Sequence, residues 1–170
     1  MGPGDFGEKG SLRRCYAAGM FPGLETERLV LRPLELADAP RIEDLFAHWE
    51  IVRLLNARIP WPYPVGGSLE NIRDSALPAM ERGEEWHWTL RLKTEPETII
   101  GRIGLYLGEN NRGFWMGLPW QGKGLMSEAV IAVTDYWFEV LGFPMLRCRR
   151  RWRMLSREGS QKRWGCGWWR

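Results

Sequence analysis

Residues 113–138, GFWMGLPWQGKGLMSEAVIAVTDYWF, change period halfway. An aromatic run with strand character stops at Leu118-Pro119. It crosses Gln121-Gly122-Lys123-Gly124 and resumes as an apolar run with helical spacing that Gly142 and Pro144 bring to an end. A strand that turns at once into a helix leaves the first N–H groups of the helix without partners. Gly122 and Gly124 remove side chains from that turn, and the helix dipole adds roughly half a positive charge. Lys123 supplies a mobile cation at the rim. One reading is an anion cradle for a phosphate or pyrophosphate. The other is a tight turn with capping glycines, which a lone G-x-G by itself favours.

What precedes the junction narrows the fold. WHWTLRLK (86–93), TIIGRIGLYLG (98–108) and RGFWMGL (112–118) are β-like, and KTEPET and GENN are hairpin-type links between them. Three consecutive antiparallel strands are expected. Upstream, ERLVLRPL (27–34) alternates as a strand. A helix is expected over 36–56, with Ile42, Leu45, Phe46 and Trp49 on one side, Asp38 as cap and Pro40 in the first turn. ARIPWPYPVGG (57–67) reads as a structured loop. A second helix spans 68–84, opened by Ser68 with Asn71 half-filling a capping box, and kinked or stopped by Pro78. PMLR (144–147) begins another strand. The order βααβββαβ describes an α/β three-layer domain: a mostly antiparallel twisted sheet flanked by helices. Residues 1–23 are Gly-rich and patternless, a loose extension without the apolar stretch of a secretory signal.

Two nucleotide motifs fail at the junction. Gly117 to Gly122-Lys123 matches a P-loop until Gly124 replaces the Ser or Thr that would hold a magnesium ion. Gly122-Lys123-Gly124 is followed by Met126-Ser127, which breaks the Rossmann fingerprint, and antiparallel strands oppose both. The three cysteines, Cys15, Cys148 and Cys166, have no metal-ligand spacing and fit a reducing, cytoplasmic setting. The net charge of +3 is uneven. Arg147 to Arg170 holds nine Lys/Arg and one Glu, so the rest carries fifteen bases and twenty acids. The basic excess gives no argument that the domain itself binds nucleic acid, and no apolar run is long enough for a membrane span.

Gln121-Gly122-Lys123-Gly124-Leu125-Met126 resembles the Q/R-x-x-G-x-G/A loop of the GNAT acetyltransferases. The run GLPWQGKGLMSEA and the opening LETERLVLRPL resemble its ribosomal-protein N-acetyltransferase (RimJ/RimL-type) branch over about residues 24–147. Met126 stands where most of the wider family has Gly or Ala. The resemblance implies an acetyl-CoA-dependent N-acetyltransferase without a metal, whose partners are acetyl-CoA and an amine acceptor: a protein N-terminus, an aminated sugar or a polyamine. It implies that Gln121, Gly122, Lys123, Gly124, Leu125 and Met126 hold the pyrophosphate, and that strand 112–118 runs beside the pantetheine arm. An N–H near Met116, Gly117 or Leu118 would polarise the thioester carbonyl. The attacking amine must lose a proton. Glu109 at the hairpin, His87 on the first hairpin strand, and Glu84 and Glu85 before it are the candidate bases. Each also has a plainer reading, as a solvated turn residue or a strand side chain. Ser127 and Glu128 read as helix N-terminal residues. Trp86, Trp88, Trp115 and Trp120 either line an acceptor groove or fill the core, and WPYP (61–64) either covers the acceptor side or acts as a rigid linker.

The family pattern breaks after Arg147. RCRRRWRMLSREGSQKRWGCGWWR buries no face at period 2 or 3.6 and reads as an irregular tail over 148–170. Codons permitted for these residues, read two nucleotides out of phase, can spell LPKAVANVVSRRISETVGMRVVA, which resembles the missing family segment. A frameshift near codon 147, in the gene or the deduced sequence, is the expected cause, with weakened stability and activity as its consequence. Two alternatives stand beside the transferase: a non-catalytic binding or interaction protein on the same fold, and a nucleic-acid binder working through the Arg/Trp tail.

Overall fold

A computed structural model describes residues 22–55, 59–108 and 110–147. The extension, Glu109 and the expectations for 148–170 lie outside the described residues, apart from Pro22 and Gly23. Five strands form one antiparallel sheet in sequence order: β1 (Leu24–Glu25), β2 (Leu29–Pro33), β3 (Glu85–Leu92), β4 (Glu95–Tyr106) and β5 (Arg112–Met116). Short links make the β3–β4 and β4–β5 pairings the natural arrangement, as the hairpin-type turns lead one to expect, while β2 pairs with β3 across the helical segment between them.

Strand alternation sends Trp86, Trp88 and Leu90 of β3 to one face and His87, Thr89 and Arg91 to the other. Both sets are buried because β3 is central and both faces are covered. On the first face lies the long helix α5 (Leu125–Asp135), whose Leu125, Ala129 and Val133 pack with Leu29, Leu31, Trp88 and Ile103. On the second lie α1 (Ala39–Phe46), α3 (Gly67–Asn71) and α4 (Leu77–Glu81). Arg91 would be a costly buried cation there, but it meets Asp38 at 2.8 Å.

The helical regions differ from the sequence expectation in instructive ways. Residues 36–56 are not one helix. A 3₁₀ turn (Leu36–Asp38) leads into α1, the chain extends at His48, and a single helical turn α2 (Trp49–Val52) follows. The break lets Ile51 and Val52 join Phe46 in a small separate core with Tyr63 and Trp115. Trp49 therefore leaves the apolar side. It is half-exposed and lies 5.3 Å from Trp61. Asp38 does not cap α1; its carboxylate accepts from the Glu35 N–H and from Arg91. Ser68 does not open a capping box either. Glu43 of α1 reaches across, and its carboxylate accepts from the N–H groups of Gly66 and Ser68.

Pro78 neither stops nor ends its helix. A π turn (Ile72–Ala76) joins α3 to α4, a wider loop of backbone that accommodates a residue with no N–H. A second π turn (Tyr136–Val140) prolongs α5. The expected strand at 144–147 is irregular. It is tied to the start of β5 by two bonds at Asn111, whose N–H donates to Arg147 O and whose Oδ1 accepts from Arg147 N, each at 2.7 Å.

Candidate active site

The site is built where β5 ends. Gly117 N–H donates to Ile100 O at 2.8 Å, closing the β4–β5 ladder. With Gly101 opposite Met116, that bond makes Met116 a non-hydrogen-bonded position, so its N–H and C=O point away from β4. Pro119 cannot continue a ladder, and the chain folds into a 3₁₀ turn (Leu118–Trp120). The strand is thus two residues shorter than expected. Gln121 then folds its side chain back, and Nε2 donates to Met116 O at 2.8 Å.

Gly122 and Gly124 have φ of +74° and +77°. Only glycine takes this region without strain, which explains both residues. Among the described residues, no atom beyond its chain neighbours lies within 4 Å of where a Gly122 Cβ would sit, and the nearest to Gly124 is Arg28 Nη2 at 3.6 Å. Helix α5 begins at Leu125, and its N-cap Gly124 offers no side chain to the first-turn N–H groups. Among the described residues no side chain plugs the turn, and residues 121–124 are not absorbed into the helix.

Its electrostatics suit an anion. Glu128, in the first turn of α5, is committed elsewhere: it accepts from Thr26 Oγ1, from Arg28 N at 2.8 Å and from Arg28 Nε at 2.8 Å. Burial works against the Glu128 carboxylate, but these bonds outweigh it and hold its pKa below the usual value. Arg28 Nη1 also donates to Lys123 O at 3.1 Å, so Arg28 braces the turn from behind. Lys123 stays exposed.

In front of the turn lies a cavity of about 300 Å³. Its walls are Phe114, Trp115 and Met116 of β5, the turn from Trp120 to Ser127 without Lys123, and Ile51, Leu54 and Leu55 beyond α1. Of the residues expected at a cofactor loop, Met116, Gln121, Gly122, Gly124, Leu125 and Met126 line it; Gly117, Leu118 and Lys123 do not. Trp115 and Trp120 line it too, while Trp86 and Trp88 are core. Tyr63 of WPYP packs edge-on against Phe46 at 5.0 Å. A second cleft, of about 430 Å³ between β1 and α5, is lined by Glu25, Glu128, Asp135 and Glu139, the wrong charge for a diphosphate. No group of three potential metal ligands occurs among the described residues.

His87 is away from the cavity walls, buried on the far face of β3. Its Nε2 lies 2.6 Å from Glu85 Oε2. Burial first, and then the charge of Arg102, lower its pKa to about 4 against the pull of Glu85. Sequence reasoning did not pick out Ile51, Leu54 and Leu55, whose place depends on the break at His48. Nor did it find the Arg28–Glu128 brace, which joins residues 100 apart.

Residues 28–153 match the family model for an acetyltransferase (GNAT) domain. Over 141 residues the chain is 29% identical to the uncharacterized N-acetyltransferase YoaA of Bacillus subtilis, spanning 75% of this chain and 72% of that protein. Its fold aligns with the crystal structure of an acetyltransferase from Agrobacterium tumefaciens at 28% identity and a TM-score of 0.52, over 73% of this chain and 71% of that one. RimL, the ribosomal L7/L12 alpha-N-protein acetyltransferase solved with coenzyme A, shares the fold at 16% identity and a TM-score of 0.55, over 68% and 67% of the two chains.

Proposed function

This chain belongs to the GNAT acetyltransferase family, and from that premise we propose that it transfers the acetyl group of acetyl-CoA to a primary amine. The observation that carries the reading is the unobstructed main-chain turn at residues 121–126, opening on the apolar cavity beside the outer edge of β5. Main-chain N–H groups from Gly122 to Met126 would hold the pyrophosphate, helped by the α5 dipole. RimL, a neighbour in fold, was solved with coenzyme A, which agrees with that assignment. The pantetheine arm would lie along the edge of β5, where Phe114 and Met116 direct their polar groups outward.

In the reaction the amine nitrogen bonds to the thioester carbon and the carbon–sulfur bond breaks. The amine loses a proton, and the departing thiolate gains one. No nucleophilic side chain is required. The Met116 N–H is the donor best placed to stabilise negative charge developing on the carbonyl oxygen. The cytoplasmic setting expected from the cysteines accords with this reading.

Calorimetry with coenzyme A, followed by thiol release from acetyl-CoA in the presence of a serine-starting peptide, glucosamine or spermidine, tests it. Saturable binding and release with at least one amine are expected. A folded chain that binds no coenzyme A overturns the assignment. Reading the source DNA across codon 147 tests the proposed frameshift, and an intact single frame there refutes it.

A further inference from the structure

The His87 and Tyr106 side chains meet on one face of the sheet, over two glycines of β4 and β5. His87 of β3 pairs with Gly104 of β4, which pairs with Gly113 of β5. Gly104 is sterically required, and Gly113 leaves little room for a side chain. A Cβ on Gly104 would lie 2.4 Å from His87 Nδ1 and 3.0 Å from the Tyr106 hydroxyl, and one on Gly113 would lie 3.1 Å from that hydroxyl. The Tyr106 hydroxyl thus reaches over β5, whose next residue on the same face, Trp115, forms a wall of the cavity. The His87 and Tyr106 rings meet edge to face at 5.2 Å.

The second observation is an orphan. His87 Nδ1 is buried and has no hydrogen-bond partner among the described residues, although the other ring nitrogen is held by Glu85. A purely structural histidine would leave such an atom unsatisfied at a cost, and an orphan in a folded chain calls for a reason. Nδ1 and the Tyr106 hydroxyl flank the same point above Gly104, about 5 Å apart at most, a gap one water bridges.

We propose that Tyr106 and His87, backed by Glu85, form a proton store for the transfer reaction. The inference rests on the acetyl-transfer reading. As the new carbon–nitrogen bond forms, the amine proton passes to the Tyr106 oxygen, directly or through water. The hydroxyl's own proton moves through a bridging water to His87 Nδ1. The imidazolium so formed is held by the Glu85 carboxylate at Nε2. When the carbon–sulfur bond breaks, the proton returns along the same path to the thiolate, so the balance closes and every residue ends as it began.

The charged and titratable groups facing the store are Arg102 and Tyr106 on β4 and Glu85 on β3. Arg102 Nη1 donates to Asn71 Oδ1 of α3 at 3.3 Å. Burial raises the Tyr106 pKa, so its hydroxyl keeps its proton, and the lowered pKa of His87 leaves Nδ1 empty between turnovers.

The test uses the full chain with the three amines named above, and the variants Tyr106→Phe, His87→Gln, Glu85→Gln and the double variant Tyr106→Phe/His87→Gln. Coenzyme A affinity should stay within about threefold, while kcat falls about 10- to 100-fold in Tyr106→Phe and in His87→Gln. Groups acting in series are not additive, so the double variant should be no slower than the slower single. Wild type should also show a solvent deuterium effect on kcat that shrinks in Tyr106→Phe. Multiplying losses, or an unchanged kcat, overturn the store. If His87→Gln does not fold, Tyr106→Phe and Glu85→Gln with their double decide by the same rule. A chain that binds no coenzyme A sinks the transferase reading. One that binds it and acetylates none of the amines overturns the transfer reading and the store with it, whereas multiplying losses in an active chain overturn the store alone.

Discussion

Replacing Gly122 by alanine separates the backbone's demands from those of a ligand. Gly122 has φ +74°, and a Cβ there would meet nothing within 4 Å among the described residues. The sole intramolecular cost is holding alanine in the left-handed region, about 1 kcal/mol. Gly83, in the turn before β3, is a matched control. Its φ is +68°, its Cβ would also meet nothing, and it lies outside the cavity wall. Urea unfolding should therefore show both Gly122→Ala and Gly83→Ala losing about 1 kcal/mol. Coenzyme A should tell them apart. A methyl at 122 either enters the space the diphosphate would take or pulls the turn from its φ. Affinity should fall at least tenfold, equivalent to about 1.4 kcal/mol, in Gly122→Ala and stay unchanged in Gly83→Ala. Equal affinities in the two variants, with equal stability losses, would show that no ligand approaches this backbone and would refute the reasoning.

His87 titrates near pH 4 in the folded chain against an ordinary value of 6.5, so on acidification the unfolded chain takes up its proton first. Stability should hold above pH 6.5 and then fall by about 3 kcal/mol towards pH 4, measured by urea unfolding; the same decline in His87→Gln would contradict this. Asp38→Ala strands Arg91, whose guanidinium is buried, and should cost about 3–5 kcal/mol; a loss under about 1 kcal/mol would mean that water reaches the pair. Glu128→Ala removes the acceptor for Thr26 and Arg28 and should lower stability by about 1–2 kcal/mol. Coenzyme A affinity should change less than about threefold, because the N–H groups of the turn remain in place; calorimetry checks both halves.

Several features were legible from local sequence alone. Alternation marks β2, and short β-like runs bounded by hairpin-type turns mark β3 to β5, because β-branched and aromatic side chains suit a sheet and turn residues interrupt it. Gly122-Lys123-Gly124 marks the open turn, because positive φ selects glycine wherever it occurs. Other features were not. Trp49 has the spacing of a buried helical residue, yet the chain breaks at His48 so that Ile51 and Val52 can pack with Phe46. Pro78 signals a stop that a π turn absorbs. Residues 144–147 carry strand composition, yet in place of a ladder Arg147 bonds to Asn111 and Met145 O accepts from Trp137 Nε1.

The order of elements, the antiparallel hairpins and the exposed main-chain amides of the turn follow from the residues themselves, since steric preference and hydrophobic period act over a few neighbours. The far wall of the cavity, the brace from Arg28 to Glu128 and the burial of His87 over Gly104 were decided only by the folded chain. Those contacts join segments distant in sequence, and their energies come from what packs against each group, which no local pattern encodes.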